Sequence, residues 1–461
     1  MAERILIRGG FVLTMDAALG DQPGADVLIE GDSIVAVGRN LSAADAEVID
    51  AVGDIVMPGF VDTHRHTWQA PIRGSAPNHT LGEYFGGILD VFAPGYRPED
   101  VYAGNLWGAL ECVNAGITTL VDWSHISNTP EHSDEAIRGL VDVGLRAVYA
   151  YGFPNTSMAD WWFNSKLIQP EDARRIRTQY FSSDQGLMTM AMATRGPGFC
   201  TPEVVKHDWE LARDLATPIT VHVGFDRMAG KMQMVKQLHD MDLLYAGTTY
   251  VHSNHLTDEE WQYVADSGGR ISVSPQVELQ MGHGWAPAVK ALSYGLRPGL
   301  SADVVTSGPG DLFSQMRAVL ASERARRHQI SWDEDVDPTE LLTVRDVLGF
   351  ATIDGARVAG LGDRTGSLTP GKKADVIIID GHAVNTAPVI DPVAVVVTAA
   401  DISNVDTVII DGRIQKRDGK LLAALDGPRN LIEASKDYLI SVVPAQPGWL
   451  VPTTASASVR R

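Results

Sequence analysis

IVMPGFVDTHRH, residues 55–66, holds the decision about the fold. An apolar run closes on Asp62, and two histidines follow with one residue between them. Side chains alternate across a strand, so His64 and His66 project to the same side. The run at 55–62 is the first of eight. The others are TTLVDWS (118–124), RAVYAYGF (146–153), GLMTMAMAT (186–194), PITVHVG (218–224), TTYVHSN (248–254), RISVSP (270–275) and RPGLSADVV (297–305). Helical stretches lie between them, which reads as βα units and a parallel sheet. Eight such units close a barrel. The expected fold class is α/β, a (β/α)8 TIM-like barrel.

Outside these runs the texture changes. ILIRGGFVLTMD, ADVLIEGDSIVAVG and EVIDAVGDIVMPGF alternate apolar and polar residues between glycines, and GSLTPGKKADVIIID and VAVVVTAADISNVDTVIIDGRIQKRDGKLL repeat that pattern late in the chain. Each end is too short to bury a core alone. Residues 1–57 and 366–426 are therefore expected to share one small β-sandwich, with the barrel over 58–365 and a helix and tail over 427–461. NLIEASKDYLISVV is the amphipathic piece of that last segment, and VPTTASASVRR is polar and expected to fray.

Composition narrows the function. The chain has 461 residues, with 38 Lys and Arg against 58 Asp and Glu, a net charge of −20. An acidic chain without a basic stripe repels nucleic acid. No apolar run reaches the roughly 20 residues of a membrane span, and MAERILIRGG lacks the pattern of a secretory signal. Two cysteines exclude a disulfide framework and point to a reducing cytoplasm.

An HxH pair alone is common, and two polar residues can simply end a strand. Here other runs supply partners: His222 in VHV, His252 in VHSNH and Asp303 in LSADVV, each at the C-terminal end of its run. That end is where a βα barrel keeps its chemistry. Imidazoles and a carboxylate converging on one rim suit a divalent metal such as zinc or iron. Such an ion acidifies water. Asp303 is then the candidate base, and His252 a candidate to orient the water or stabilise developing charge.

PGFVDTHRH together with VHV, VHSNH, LSADVV and GSLTPGKKADVIIID resembles the metal-dependent amidohydrolase superfamily, in the branch that contains cytosine and guanine deaminases, S-adenosylhomocysteine-type deaminases and triazine chlorohydrolases. The resemblance runs from about residue 3 to residue 425. It implies that His64, His66, His222 and Asp303 ligate one divalent ion, most simply Zn2+ with Fe2+ as the other option. It places His252 beside that ion. Two-metal relatives use a lysine on the fourth strand; GLMTMAMAT has none, so a single ion is expected. The implied activity is hydrolysis at an sp2 carbon of a small nitrogen-containing ring, with C–N cleavage the first expectation. The resemblance also implies a homodimer or higher homo-oligomer.

One position departs from the pattern. Deaminases of the branch carry a glutamate three residues after the fifth-strand histidine, and here that residue is Phe225. His283, Glu278 and His125 are candidates to replace the acid, or Asp303 makes both proton transfers. A leaving group that needs no acid, such as halide, or a non-hydrolytic lyase, cyclase or isomerase reaction would also accommodate the change. A barrel used only for assembly would show eroded ligands, and all four are intact. Trp68, Gln69, His125, Arg195 and Phe225 are the expected substrate contacts, with His283 as a further catalytic group. Trp161 and Trp162 suggest an apolar lid over a flat ring.

Overall fold

The computed structural model describes residues 4–443, so the polar tail expected to fray lies outside the described residues. Eight parallel strands run in chain order around one sheet: Phe60–Arg65, Ile117–Ser124, Arg146–Tyr151, Met188–Thr194, Ile219–Val223, Thr249–His252, Arg270–Val273 and Gly299–Leu300. All eight apolar runs thus contribute a barrel strand. The first three are buried at every residue, as strands packed on both faces must be. Past the eighth strand, Asp303 N–H donates to the His64 carbonyl at 3.1 Å, and His66 N–H donates to the Asp303 carbonyl at 2.9 Å. These two bonds close the ring where the chemistry is concentrated.

The first run divides in two. Ile55–Pro58 belongs to a second sheet, and the chain crosses to the barrel at Gly59. A Cβ at Gly59 would lie 2.1 Å from the Thr118 side chain, so only glycine permits the crossing. The second sheet has nine strands, five from the N-terminal end and four from the C-terminal end, joined where Ile55–Pro58 pairs antiparallel with Val376–Ile379. The expectation that both ends build one β unit is met.

Period-two alternation sorts its residues. Val56, Val376, Ile378 and Ile409 pack into the sheet's own core, while Ile55, Met57, Ile377, Ile379, Val408 and Ile410 face the barrel. Arg146 fastens the two parts. Its buried guanidinium forks onto Asp375 at 2.6 and 3.1 Å and reaches Asp411 at 2.7 Å.

The helix expected near the C-terminus spans Asp426–Val442 and lies on Pro98–Asn114. Ser435 donates to Asp100 at 2.5 Å, and Tyr438 sits under the Arg97 guanidinium at 3.5 Å. Among the described residues no helix is long and apolar enough to cross a membrane.

Candidate metal centre and cleft

Four strand ends bring the predicted ligands together. His64, His66 and Asp303 form one group of possible ligands, and His64, His222 and His252 form another, with the atoms of each group within 4.8 Å of one another. His222 Nε2 stands 3.2 Å from His64 Nε2. Asp303 Oδ1 stands 3.4 Å from His64 Nε2 and 3.5 Å from His66 Nε2. Two atoms each about 2.0–2.1 Å from zinc at a tetrahedral angle stand about 3.3 Å apart. These spacings fit donors that share an ion: Asp303 stands at that separation from His64 and His66, and His222 from His64.

Outer partners hold the rings in place. His66 Nδ1 meets the Trp123 carbonyl at 2.9 Å. A carbonyl can only accept, so Nδ1 carries the proton and Nε2 is bare toward the centre. His252 Nδ1 meets Glu278 Oε1 at 3.1 Å, and the same oxygen accepts the Ser274 N–H at 2.8 Å. Glu278 was a candidate acid on sequence; it is instead fully buried behind His252 and fixes its ring. Asp62 lies beneath the centre and accepts from Ala302 N–H at 3.2 Å and His64 N–H at 3.4 Å. It ties the first strand to the segment after the eighth.

Three residues of the site have left-handed backbone. His252, Ser253 and Asp303 have φ of 73°, 61° and 59°. Non-glycine residues rarely adopt the left-handed region, and such strain gathers at functional sites. The turn lets the chain leave the sixth strand at once, with Ser253 N–H returned to Val223 O at 3.0 Å.

Burial sets the protonation states. It pushes His64, His66 and His222 below the usual imidazole range, which leaves bare nitrogens. Burial would raise Asp303, but the hydrogen bond and charge of His64, then His252 and His66, hold it well below the usual carboxylate range. Burial opposes charge on His252 too, yet Glu278 raises it. Asp62 is pushed up to about 7 by burial, against the pull of Arg65.

Above the centre lies a cleft with about 460 Å3 of free space, solvent at its mouth included. Of the expected contacts, His125, His283 and Phe225 line it, together with His252. Burial lowers His125 and His283 to about 3. Among the described residues neither ring nitrogen of His283 has a hydrogen-bond partner, and His255 steadies that loop through the His283 carbonyl at 2.6 Å. Asp226, next to Phe225, turns away to cap a helix by accepting Ala229 N–H at 2.6 Å.

Three expected contacts are corrected. Arg195 does not face the cleft: its buried guanidinium donates to Ser165 Oγ at 2.9 Å and Leu167 O at 2.5 Å and pairs with Asp208 at 3.3 Å. It also lies 4.9 Å from the Trp161 ring. Its task is to hold the loop carrying Trp161 and Trp162. Trp68 sits behind His125 and directs its indole N–H at His125 Nδ1, 3.4 Å away. Gln69 sits behind Tyr84 and donates to its hydroxyl at 2.6 Å, while Thr306 donates to the other end of the amide at 3.4 Å.

Tyr84, which the sequence reads as one of several packing aromatics, itself lines the cleft. Its oxygen accepts from Gln69, so its proton is left to donate into the cleft. The one local signal is the capping box of Thr80 and Glu83, which marks a helix start and not a ligand contact. Trp162 lines the wall as the expected lid would, whereas the neighbouring Phe163 is exposed.

Residues 55–415 match the model of the amidohydrolase family. Among curated proteins, a 5'-deoxyadenosine deaminase from Methanosarcina mazei is 29% identical over 442 residues, covering 94% of this chain and 97% of that protein. A 5-methylthioadenosine/S-adenosylhomocysteine deaminase from Symbiobacterium thermophilum is 29% identical, covering 90% and 94%. Among solved structures, a zinc complex of atrazine chlorohydrolase from Arthrobacter aurescens superposes with a TM-score of 0.82 at 23% identity, over 94% of this chain and 100% of that one. A zinc-bound adenosine deaminase from Xanthomonas campestris gives 0.81 at 22%, over 95% and 98%. The two structures speak for the fold, and the family model for descent: the chain belongs to the amidohydrolase family.

Proposed function

We propose that this chain is a mononuclear metal-dependent hydrolase that adds water to an sp2 carbon of a nitrogen-containing heterocycle and breaks a C–N bond. The observation that carries the reading is the set of donor separations, 3.2, 3.4 and 3.5 Å, among His64, His66, His222 and Asp303 at the barrel's C-terminal rim. His64, His66, His222 and Asp303 would hold the ion. Nitrogen and oxygen donors at these separations favour zinc, as do the zinc-bound neighbours. When bound, a divalent ion lowers the pKa of water toward neutrality.

The chain's residues do the rest. Asp303, kept ionised, receives the proton of the attacking water. His252, held by Glu278, donates a hydrogen bond to the atom that gains charge as water adds. Asp303 returns the proton to the departing nitrogen, because Phe225 cannot and Asp226 is committed to its helix. The buried, free cysteines Cys112 and Cys200 agree with a reducing cytoplasm.

Phe225 also favours a second reading, in which the leaving group departs without a proton, as halide does. Turnover of aminated and halogenated analogues of one ring, in ¹⁸O water, separates the possibilities. Label in the product with loss of amine supports the first reading; loss of halide alone supports the second. Product without label contradicts both. Phe225→Glu should move preference toward amines.

A further inference from the structure

We propose that the cleft selects a flat, uncharged heteroaromatic ring with an apolar substituent, and rejects the same ring carrying a sugar or a charged group. The inference rests on the hydrolase reading only in placing the ring above the metal centre. Its support is the wall. Phe199 and Phe225 stack at 5.5 Å with their planes 3° apart. Trp162 meets Phe199 edge-on at 5.0 Å, and Phe85 lies 5.7 Å from Trp162. Four aromatic rings line one side of the cleft. A planar ring gains from stacking and edge contacts with such a surface.

Charge is excluded by construction. Among the described residues, no lysine, arginine or glutamate lines the cleft, and Asp303 is the sole carboxylate there. The charged residues nearest the wall are each engaged elsewhere. Asp226 caps its helix, Arg195 pairs with Asp208 behind Trp161, and Glu278 is sealed behind His252. A substrate carboxylate or ammonium held against the wall, away from Asp303 and the metal donors, would meet no counter-charge. Burying such a group unpaired is strongly unfavourable.

The polar groups above the metal donors are few. Tyr84, His125 and His283 can hydrogen-bond a ring edge and its exocyclic atom. With Tyr84, His125 and His283 engaged by the ring edge, a ribose would lay its hydroxyls against phenylalanine, leucine and methionine, where they lose water and gain no partner. Curated relatives named for 5'-deoxyadenosine and S-adenosylhomocysteine therefore share this chain's family while its own cleft is built for a simpler ligand.

The test is calorimetric binding to the metal-loaded protein with matched probes. Adenine and cytosine are each compared with ethyl, ribosyl or carboxymethyl at the glycosidic nitrogen, and melamine with N-ethyl or N-carboxymethyl. The expected result is that at least one ethyl compound binds, and that its ribosyl and carboxymethyl counterparts bind about tenfold more weakly or worse. A ribosyl or carboxymethyl compound that binds as tightly as its ethyl counterpart overturns the proposal. So does failure of every ethyl compound to bind. Metal content is assayed on the same sample. Absence of stoichiometric metal overturns the hydrolase reading alone, since the ratio of affinities is read either way.

Discussion

At the floor of the cleft, side chains are fixed by directed bonds. His66 is held by the Trp123 carbonyl at 2.9 Å, His252 by Glu278 at 3.1 Å, and Asp303 by backbone bonds to the first strand. At the wall, Phe225 stacks on Phe199 and Phe199 meets Trp162 edge-on, and of the three only Trp162 has a directed side-chain bond, its indole N–H donating to Asn155 at 3.0 Å. The floor is assembled from strand ends, whose positions the barrel dictates. The wall comes from loops, whose positions depend on what packs behind them. The floor thus fixes the chemistry, and the wall fixes what can reach it.

The sharpest break in that division is Asp303→Asn. It should reduce turnover on the order of 10⁴-fold, because an amide neither takes the proton nor ligates as a carboxylate does. Steady-state kinetics on a turned-over heterocycle checks this, and normal turnover would remove Asp303 from the floor's chemistry. Arg195→Leu probes the support behind the wall. It removes the buried guanidinium that pairs with Asp208, leaving that carboxylate only Gln169 N–H and His207, and should lower stability by about 3 kcal/mol. Denaturant unfolding reads the loss. At temperatures where the variant is folded, kcat/KM should hold within about threefold. A selective rise in KM at full stability would return Arg195 to the substrate.

Lys416 supplies a control remote from both regions. It is buried, donates to the Asn114 carbonyl at 2.7 Å, and burial lowers its pKa from 10.5 to about 8. Above about pH 8 the folded chain sheds this proton, while the unfolded chain keeps it up to about pH 10.5. The unfolded state then binds more protons, so stability relative to Lys416→Met should rise across that window, by roughly 3 kcal/mol in all. Unfolding midpoints of both proteins at several pH values measure it. A flat difference would contradict the assignment, and activity differences should not follow it.

Smaller effects refine the floor. Glu278→Gln should lower kcat about 10–100-fold with metal content unchanged, and should shift the pH profile, since it acts through His252. Metal loss without a profile shift would make Glu278 merely structural. Tyr84→Phe is the smallest, about three- to tenfold and mainly in KM, with Gln69→Leu in the same direction. No change in either would place the Tyr84 proton outside recognition.

The sequence disclosed the floor for a physical reason. Each barrel strand is a short apolar run, and on four of the eight a histidine or aspartate of the metal centre, at or just past the C-terminal end, breaks the apolar pattern at a place the fold defines. His64, His66, His222, His252 and Asp303 were all legible this way. The junction at Gly59 was less so, because one apolar run serves two sheets and only the contact with Thr118 shows where it divides. The wall was hardest. Trp68, Gln69 and Arg195 lie next to site residues in sequence but point behind them. Tyr84 reaches the cleft from a single helical turn and Phe199 from a loop, and no periodicity marks either as a contact. Proximity along the chain is a poor guide where side-chain direction is set by tertiary packing.

Metal titration of the chelated protein tests the central claim most directly. Calorimetry with zinc, together with X-ray absorption on the loaded sample, should give one ion per chain, with three nitrogen donors from imidazoles and an oxygen donor from Asp303. His222→Ala should weaken that binding. No stoichiometric binding, or binding that His222→Ala leaves unchanged, would contradict the account.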